Sequence, residues 1–162
     1  MSEGSAPVEV RPRARDKAFE DFAVGQRFTT ARRTVTETDI VNFACLTGDF
    51  YPLHVDQVYA ESTPFKTRIA HGPLTFSLAV GLMGQTGFLA DALVAFLGAD
   101  ALRFHGPVRP GDTVHVEAEV SHGRPTSGGD KGVVTIRYSM KNQMHDEVMS
   151  VDMAFLMWRR GF

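Results

Sequence analysis

The stretch Ile69-Ala70-His71-Gly72-Pro73-Leu74-Thr75-Phe76-Ser77-Leu78-Ala79-Val80-Gly81-Leu82-Met83-Gly84 decides how this chain folds. Pro73 suits the first turn of a helix, where its missing N–H has no intrahelical partner. From Pro73 to Gly84 the apolar residues leave almost no polar face, which predicts a helix surrounded by protein. Gly84-Gln85-Thr86-Gly87 ends it. Everything downstream reads as strand. Val94 to Val108 forms one long strand with a kink at Gly98, and Arg109-Pro110-Gly111-Asp112 makes a tight turn. Thr113 to Ser121 alternates Val114, Val116, Ala118 and Val120 on one face, as a half-buried strand does. A Gly/Pro/Ser loop from Arg124 to Lys131 follows, then strands from Gly132 to Lys141 and from Val148 to Trp158. One buried helix followed by long antiparallel strands implies an α+β domain whose curved sheet wraps the helix.

Upstream, Arg27 to Val35 alternates as a strand. Thr36 and Asp39 form a capping box, and Ile40, Phe43, Ala44 and Thr47 fall on one helical face that Gly48 terminates. Cys45 lies inside this helix and is expected in the core. Asp56 caps a short helix to Ser62. The Pro- and Arg-rich residues 1–17 read as a flexible tail, leaving 18–162 as a single domain.

Composition narrows the function. The 162 residues fit one domain, and a 43% hydrophobic content is enough for a sizeable core. A formal net charge of -2 supplies no basic field, so nucleic acid is not an expected partner. The longest apolar run, Leu74 to Met83, is too short to span a bilayer. A single cysteine and the absence of a basic-then-apolar start lead to the expectation of a cytoplasmic protein off the membrane.

Chemistry concentrates in Leu46-Thr47-Gly48-Asp49-Phe50-Tyr51-Pro52-Leu53-His54. Asp49 and His54 stand close enough to share one small reactant such as water, and a tuned carboxylate–imidazole pair can exchange protons near neutral pH. By spacing alone the pair also fits a helix-ending turn with a capping contact. His71 reads by itself as a packed histidine bonded to backbone. Asp49, His54, Asp56 and His71 are metal-ligand types but lack the paired spacing of zinc sites, so no metal is expected. His105, His115, His122 and His145 show no clustering along the sequence.

The run Phe43 to His54 resembles the hydratase-2 motif of MaoC-like (R)-specific enoyl-CoA hydratases, whose pattern is Gly-Asp-x-Asn-Pro-Leu-His. Ile69-Ala70-His71-Gly72 resembles the opening of that family's central helix, and Phe104 to Asp112 the strand and turn after it. The similarity runs from about Phe19 to Met157. It implies a single hot-dog fold. Two departures stand out: Tyr51 replaces the family's Asn, and Val80 occupies the place where some members carry Ser.

The resemblance implies a hydro-lyase that reversibly adds water to a 2-enoyl-CoA, giving a 3-hydroxyacyl-CoA. Asp49 and His54 fall on the catalytic pair. Gly72, with His71 and Tyr51 beside the substrate, would face the thioester, the Gly72 N–H serving its oxygen at the open N-terminus of the helix. Arg103, Arg109, Arg124 and Lys131 are candidates for the coenzyme A phosphates. Coenzyme A would enter as part of the substrate, and no separate cofactor is expected. A homodimer or larger homo-oligomer is expected, because a lone hot-dog sheet leaves an edge open. The alternatives are a hot-dog acyl-CoA thioesterase and a non-catalytic acyl-binding subunit of a heteromeric hydratase.

Overall fold

Period-two burial along the last three strands builds the sheet. The computed structural model describes residues 16–162. Strands β4 (Thr113–Pro125), β5 (Lys131–Lys141) and β6 (Glu147–Trp158) pair antiparallel in sequence order. Their inward residues include Val114, Val116, Ala118 and Val120 on β4, and Val134, Ile136, Tyr138 and Met140 on β5, all buried. β3 (Leu93–Phe104) flanks β6, and β1 (Arg27–Thr29) and β2 (Arg33–Thr34) both pair with β4. The main order is therefore β1-β4-β5-β6-β3.

Helix α4 (Gly72–Gln85) packs on the inner face of this sheet. Leu74, Thr75, Leu78, Ala79, Leu82 and Met83 recur at three- and four-residue spacing and are all buried. The helix is not enclosed on every side, as its composition had suggested. Ser77, Val80, Gly81 and Gly84 face outward, with Val80 41% exposed. An apolar stripe remains open because one chain supplies only one sheet face to cover it.

The expected strand from Arg27 to Val35 is split into β1 and β2. Between them Thr30 stays bound to β4: its N–H donates to the Val116 carbonyl, while its Oγ1 accepts from the Val116 N–H. β3 begins one residue early and stops at Phe104 rather than Val108. Register shifts interrupt it at Leu93/Ala95, at Phe96/Gly98 and at Asp100/Arg103, and Ala101 has φ 52°. The shift at Gly98 matches the expected kink. Beyond Phe104, Pro107 has no N–H to continue a ladder. The chain instead turns toward the helix entry, where the Val108 carbonyl accepts from Ala70 N–H at 2.7 Å.

Before the sheet lie α1 (Glu37–Thr47), α2 (Pro52–Val55) and α3 (Gln57–Ser62). The capping box is present: Asp39 N–H donates to Thr36 Oγ1 at 3.2 Å, and Thr36 N–H to Asp39 Oδ2 at 2.8 Å. α1 buries only Ile40 and Ala44, so Cys45 is exposed rather than in the core. Asp56 caps α3 through Tyr59 N–H, as its position suggested. Most of the expected tail, residues 1–15, lies outside the described residues. Lys17 docks on the body, its Nζ donating to the Phe88 carbonyl at 2.8 Å and sitting 4.6 Å above the Phe88 ring.

Candidate active site

Gly48 closes α1 in the left-handed conformation at φ 78°, which a glycine adopts without steric cost. Asp49 follows in the loop, and Pro52 opens α2 two residues before His54. Asp49 Oδ1 accepts the Tyr51 N–H at 3.2 Å, tying the carboxylate to its own loop.

His54 is half-buried, and its Nδ1 lies 2.7 Å from the Ile69 carbonyl. A carbonyl only accepts, so Nδ1 carries the proton. In the neutral ring Nε2 then bears the lone pair. Burial holds the His54 imidazole below its ordinary value. The Ile69 contact and the Asp49 charge pull it back upward, and the neighbouring His71 presses it down. The ring is therefore a neutral acceptor at neutral pH.

His71 is 1% exposed and stacks on His54 with ring centroids 3.8 Å apart. Its Nε2–H donates to the Asp49 carbonyl at 3.0 Å, while its Nδ1 has no partner among the described residues. The next residue, Gly72, opens α4, so its N–H has no acceptor within the helix. Side-chain donor atoms of Asp49, His54 and His71 all lie within 4.8 Å of one another. Residues far apart in sequence thus meet because His71 bridges the helix entry to the Asp49 backbone.

His54 and Gly72 line a cleft of about 380 Å³, together with Ile69, Thr75, Phe104 and His105. Phe104 presses on Gly72: a β-carbon there would lie 3.0 Å from the ring. His105 and Phe104 had no signal in the sequence. They reach the cleft only because β3 stops and the chain bends. His105 Nε2 is anchored by Ser150 Oγ at 2.8 Å and by Glu147 at 3.2 Å.

Tyr51 packs edge-on against His54, with centroids 6.3 Å apart, and its hydroxyl meets that of Tyr59 at 3.1 Å. The four candidate phosphate cations are scattered. Arg103 and Arg109 are exposed on either side of the Phe104–Val108 cleft segment. Arg124 and Lys131 are not brought to the cleft within one chain. Arg124 pairs in the ladder with Val133, whereas the cleft lies beside the Met140–Met149–Phe104 end. That is seven residues along β5, or roughly 23 Å. Lys131 pairs there with Asp130 and sits 4.4 Å above Trp158.

Among the described residues no helix is long and apolar enough to cross a membrane.

Comparison with known proteins shows the family and the fold. The family model described as "MaoC like domain" matches residues 20–144. The chain is 44% identical over 100 residues to Protein MaoC of Klebsiella aerogenes, covering 62% of this chain but only 29% of that longer protein. It is 40% identical over 103 residues to the (R)-specific enoyl-CoA hydratase of Rhodospirillum rubrum, covering 64% of this chain and 69% of the relative. A solved structure titled monoamine oxidase regulatory protein, from Archaeoglobus fulgius, superposes with a TM-score of 0.83 at 37% identity, over 88% of this chain and 95% of that one. A Mycobacterium tuberculosis protein described as a double hotdog fold, 22% identical, superposes with a TM-score of 0.76 over 90% of this chain and 45% of its own, which speaks to the fold alone. With a sheet wrapped around α4 and the family model spanning most of its length, this chain is a hot-dog protein of the MaoC-like dehydratase family.

Proposed function

We propose that this protein is a hydro-lyase that reversibly adds water to a 2-enoyl-CoA, giving a 3-hydroxyacyl-CoA. One observation carries the reading: the Asp49 carboxylate lies within 4.8 Å of a His54 ring nitrogen, and His54 shares a cleft with the opening residue of α4. The enoyl-CoA hydratase named among the relatives points to the same chemistry.

In this scheme a water molecule sits between the Asp49 carboxylate and His54 Nε2. His54 takes one proton as the water oxygen bonds to the β-carbon. The electron pair of the double bond moves to the thioester oxygen as an enolate. The Gly72 N–H and the positive end of α4 face that oxygen, an effect of about 3 kcal/mol for comparable donors. His54 then returns its proton to the α-carbon. Asp49 orients the water and stabilises the transient imidazolium, so the two groups act as one coupled unit. His71 positions them by holding the Asp49 carbonyl.

A second copy of the chain would complete the particle. β3 is a sheet edge, and its exposed Leu93 and Phe96 share an apolar groove with Val80 and Gly84 of α4. Unpaired edges of this kind are covered by self-association.

The test is loss of enoyl-CoA absorbance over a panel of short, long, branched and acidic acyl chains, for wild type and Asp49→Asn. Water addition without thiol release, abolished by the substitution, is the expected result. Release of free thiol would mark a thioesterase instead. Inactivity on every enoyl-CoA would leave the acyl-binding subunit.

A further inference from the structure

Three side chains on the outer face of the sheet form a second cluster, away from the Asp49–His54 cleft. His115 and Glu117 lie two residues apart on β4 and so project from the same face, opposite to the buried Val114 and Val116. His145 belongs to the turn between β5 and β6. Register brings it there: His115 pairs with Lys141, the last residue before that turn. Side-chain donor atoms of His115, Glu117 and His145 all lie within 4.8 Å of one another.

Two features set this cluster apart from a chance meeting of surface groups. The first is His115. It is 4% exposed, its Nε2 stands 3.6 Å from Glu117, and its buried Nδ1 has no hydrogen-bond partner among the described residues. Nε2 is the nitrogen turned toward the carboxylate, on a ring held in place by its burial, so it is offered to a ligand at this cluster without reorganisation. The second is the presentation of His145. Its φ is 66°, a left-handed conformation uncommon for a side-chain-bearing residue. The turn is held by Asn142, whose Oδ1 accepts from both Met144 N–H and Asp146 N–H. This backbone directs the His145 ring edge-on to His115, with centroids 5.9 Å apart.

We propose that His115, Glu117 and His145 form a binding site for a zinc-class divalent cation, tying β4 to the β5–β6 turn. Two imidazoles and one carboxylate suit zinc and exclude calcium or magnesium, which take all-oxygen shells. Tetrahedral zinc with bonds of about 2.0–2.1 Å needs donor separations of about 3.4 Å. The exposed His145 and Glu117 side chains close the remaining gap by rotation, while buried His115 stays fixed. Lys141, which pairs with His115 in the ladder, reaches Glu147 at 3.8 Å. Three protein donors leave one position for water.

The experiment is calorimetric titration of the full-length, tag-free chain with Zn²⁺, with visible absorption of Co²⁺ as a second readout. Wild type should take up one equivalent with a tetrahedral cobalt spectrum. His145→Ala changes only an exposed turn residue. It should weaken binding by more than about 10-fold, since loss of even an outer partner costs that much, and should leave enoyl-CoA turnover unchanged. His54→Ala should bind zinc as wild type does. The inference is overturned by no uptake in wild type, by full uptake in His145→Ala, or by loss confined to His54→Ala, which would put the ion in the cleft. These metal readouts are independent of whether the hydratase reading holds.

Discussion

The imidazoles of His54 and His71 stack with centroids 3.8 Å apart, yet each gives its ring N–H to a different carbonyl, Ile69 for His54 and Asp49 for His71. One ring is thereby oriented as a base with a bare Nε2. The other is locked behind it as a brace between the helix entry and the acid loop.

His54→Ala should lower hydration by about 100-fold or more while the protein stays folded, since a positioned acid–base group contributes on that scale. Enoyl-CoA absorbance and circular dichroism check both halves.

The His54 imidazole is held below its ordinary value by burial, so kcat/KM should fall on an acidic limb below the usual imidazole range. The charge of Asp49 pulls this value up, and that of His71 pushes it down. Asp49→Asn should therefore lower the His54 value further, whereas His71→Phe should raise it. NMR titration of the His54 ring reads both shifts, and movement in the same direction for the two variants would refute the electrostatic account.

The same shift has a stability consequence. Because the folded value is depressed, the unfolded chain binds more protons in the window between the two values. Stability from this group is thus complete above about pH 6.5, the ordinary imidazole value, and declines as pH falls through the folded value. Denaturant midpoints of wild type and His54→Ala should converge on acidification through that window.

Gly72→Ala places a β-carbon 3.0 Å from the Phe104 ring. Displacement of the ring or of the helix entry should cut kcat by about 10-fold or more, since a misplacement of about 1 Å at a reacting centre costs on the order of 100-fold. Phe104→Leu should restore part of the loss, which a double-mutant cycle measures.

Thr36→Ala removes the hydroxyl that accepts Asp39 N–H. The expected cost is about 1 kcal/mol in stability, read as a lower Tm, with little change in kcat.

The local elements were legible wherever a residue's own stereochemistry sets the backbone. Thr36 and Asp39 announce the start of α1, Gly48 its end, Asp56 the cap of α3, and Pro73 the first turn of α4. Alternating valines mark β4. The Asp49–His54 pair was legible because only four residues separate the loop acid from the imidazole on α2. Other features depend on elements that sequence keeps apart. Val80 and Cys45 are apolar or core-forming types, but their burial depends on which faces the sheet covers, and it covers neither. Phe104 and His105 become cleft residues only because β3 breaks its ladder and bends toward Ala70.

By itself the sequence determined a buried-helix-plus-sheet fold and an acid–imidazole pair on one turn, because caps, glycines, prolines and apolar periods act through short-range sterics and hydrophobicity. Tertiary structure alone decided that His71 reaches back to the Asp49 carbonyl, that Gly72 opens onto the same cleft as His54, and that His115 meets His145 across a hairpin. Those contacts join residues tens of positions apart, and their geometry is set by strand register and by how the chain bends between elements, quantities that no local pattern encodes.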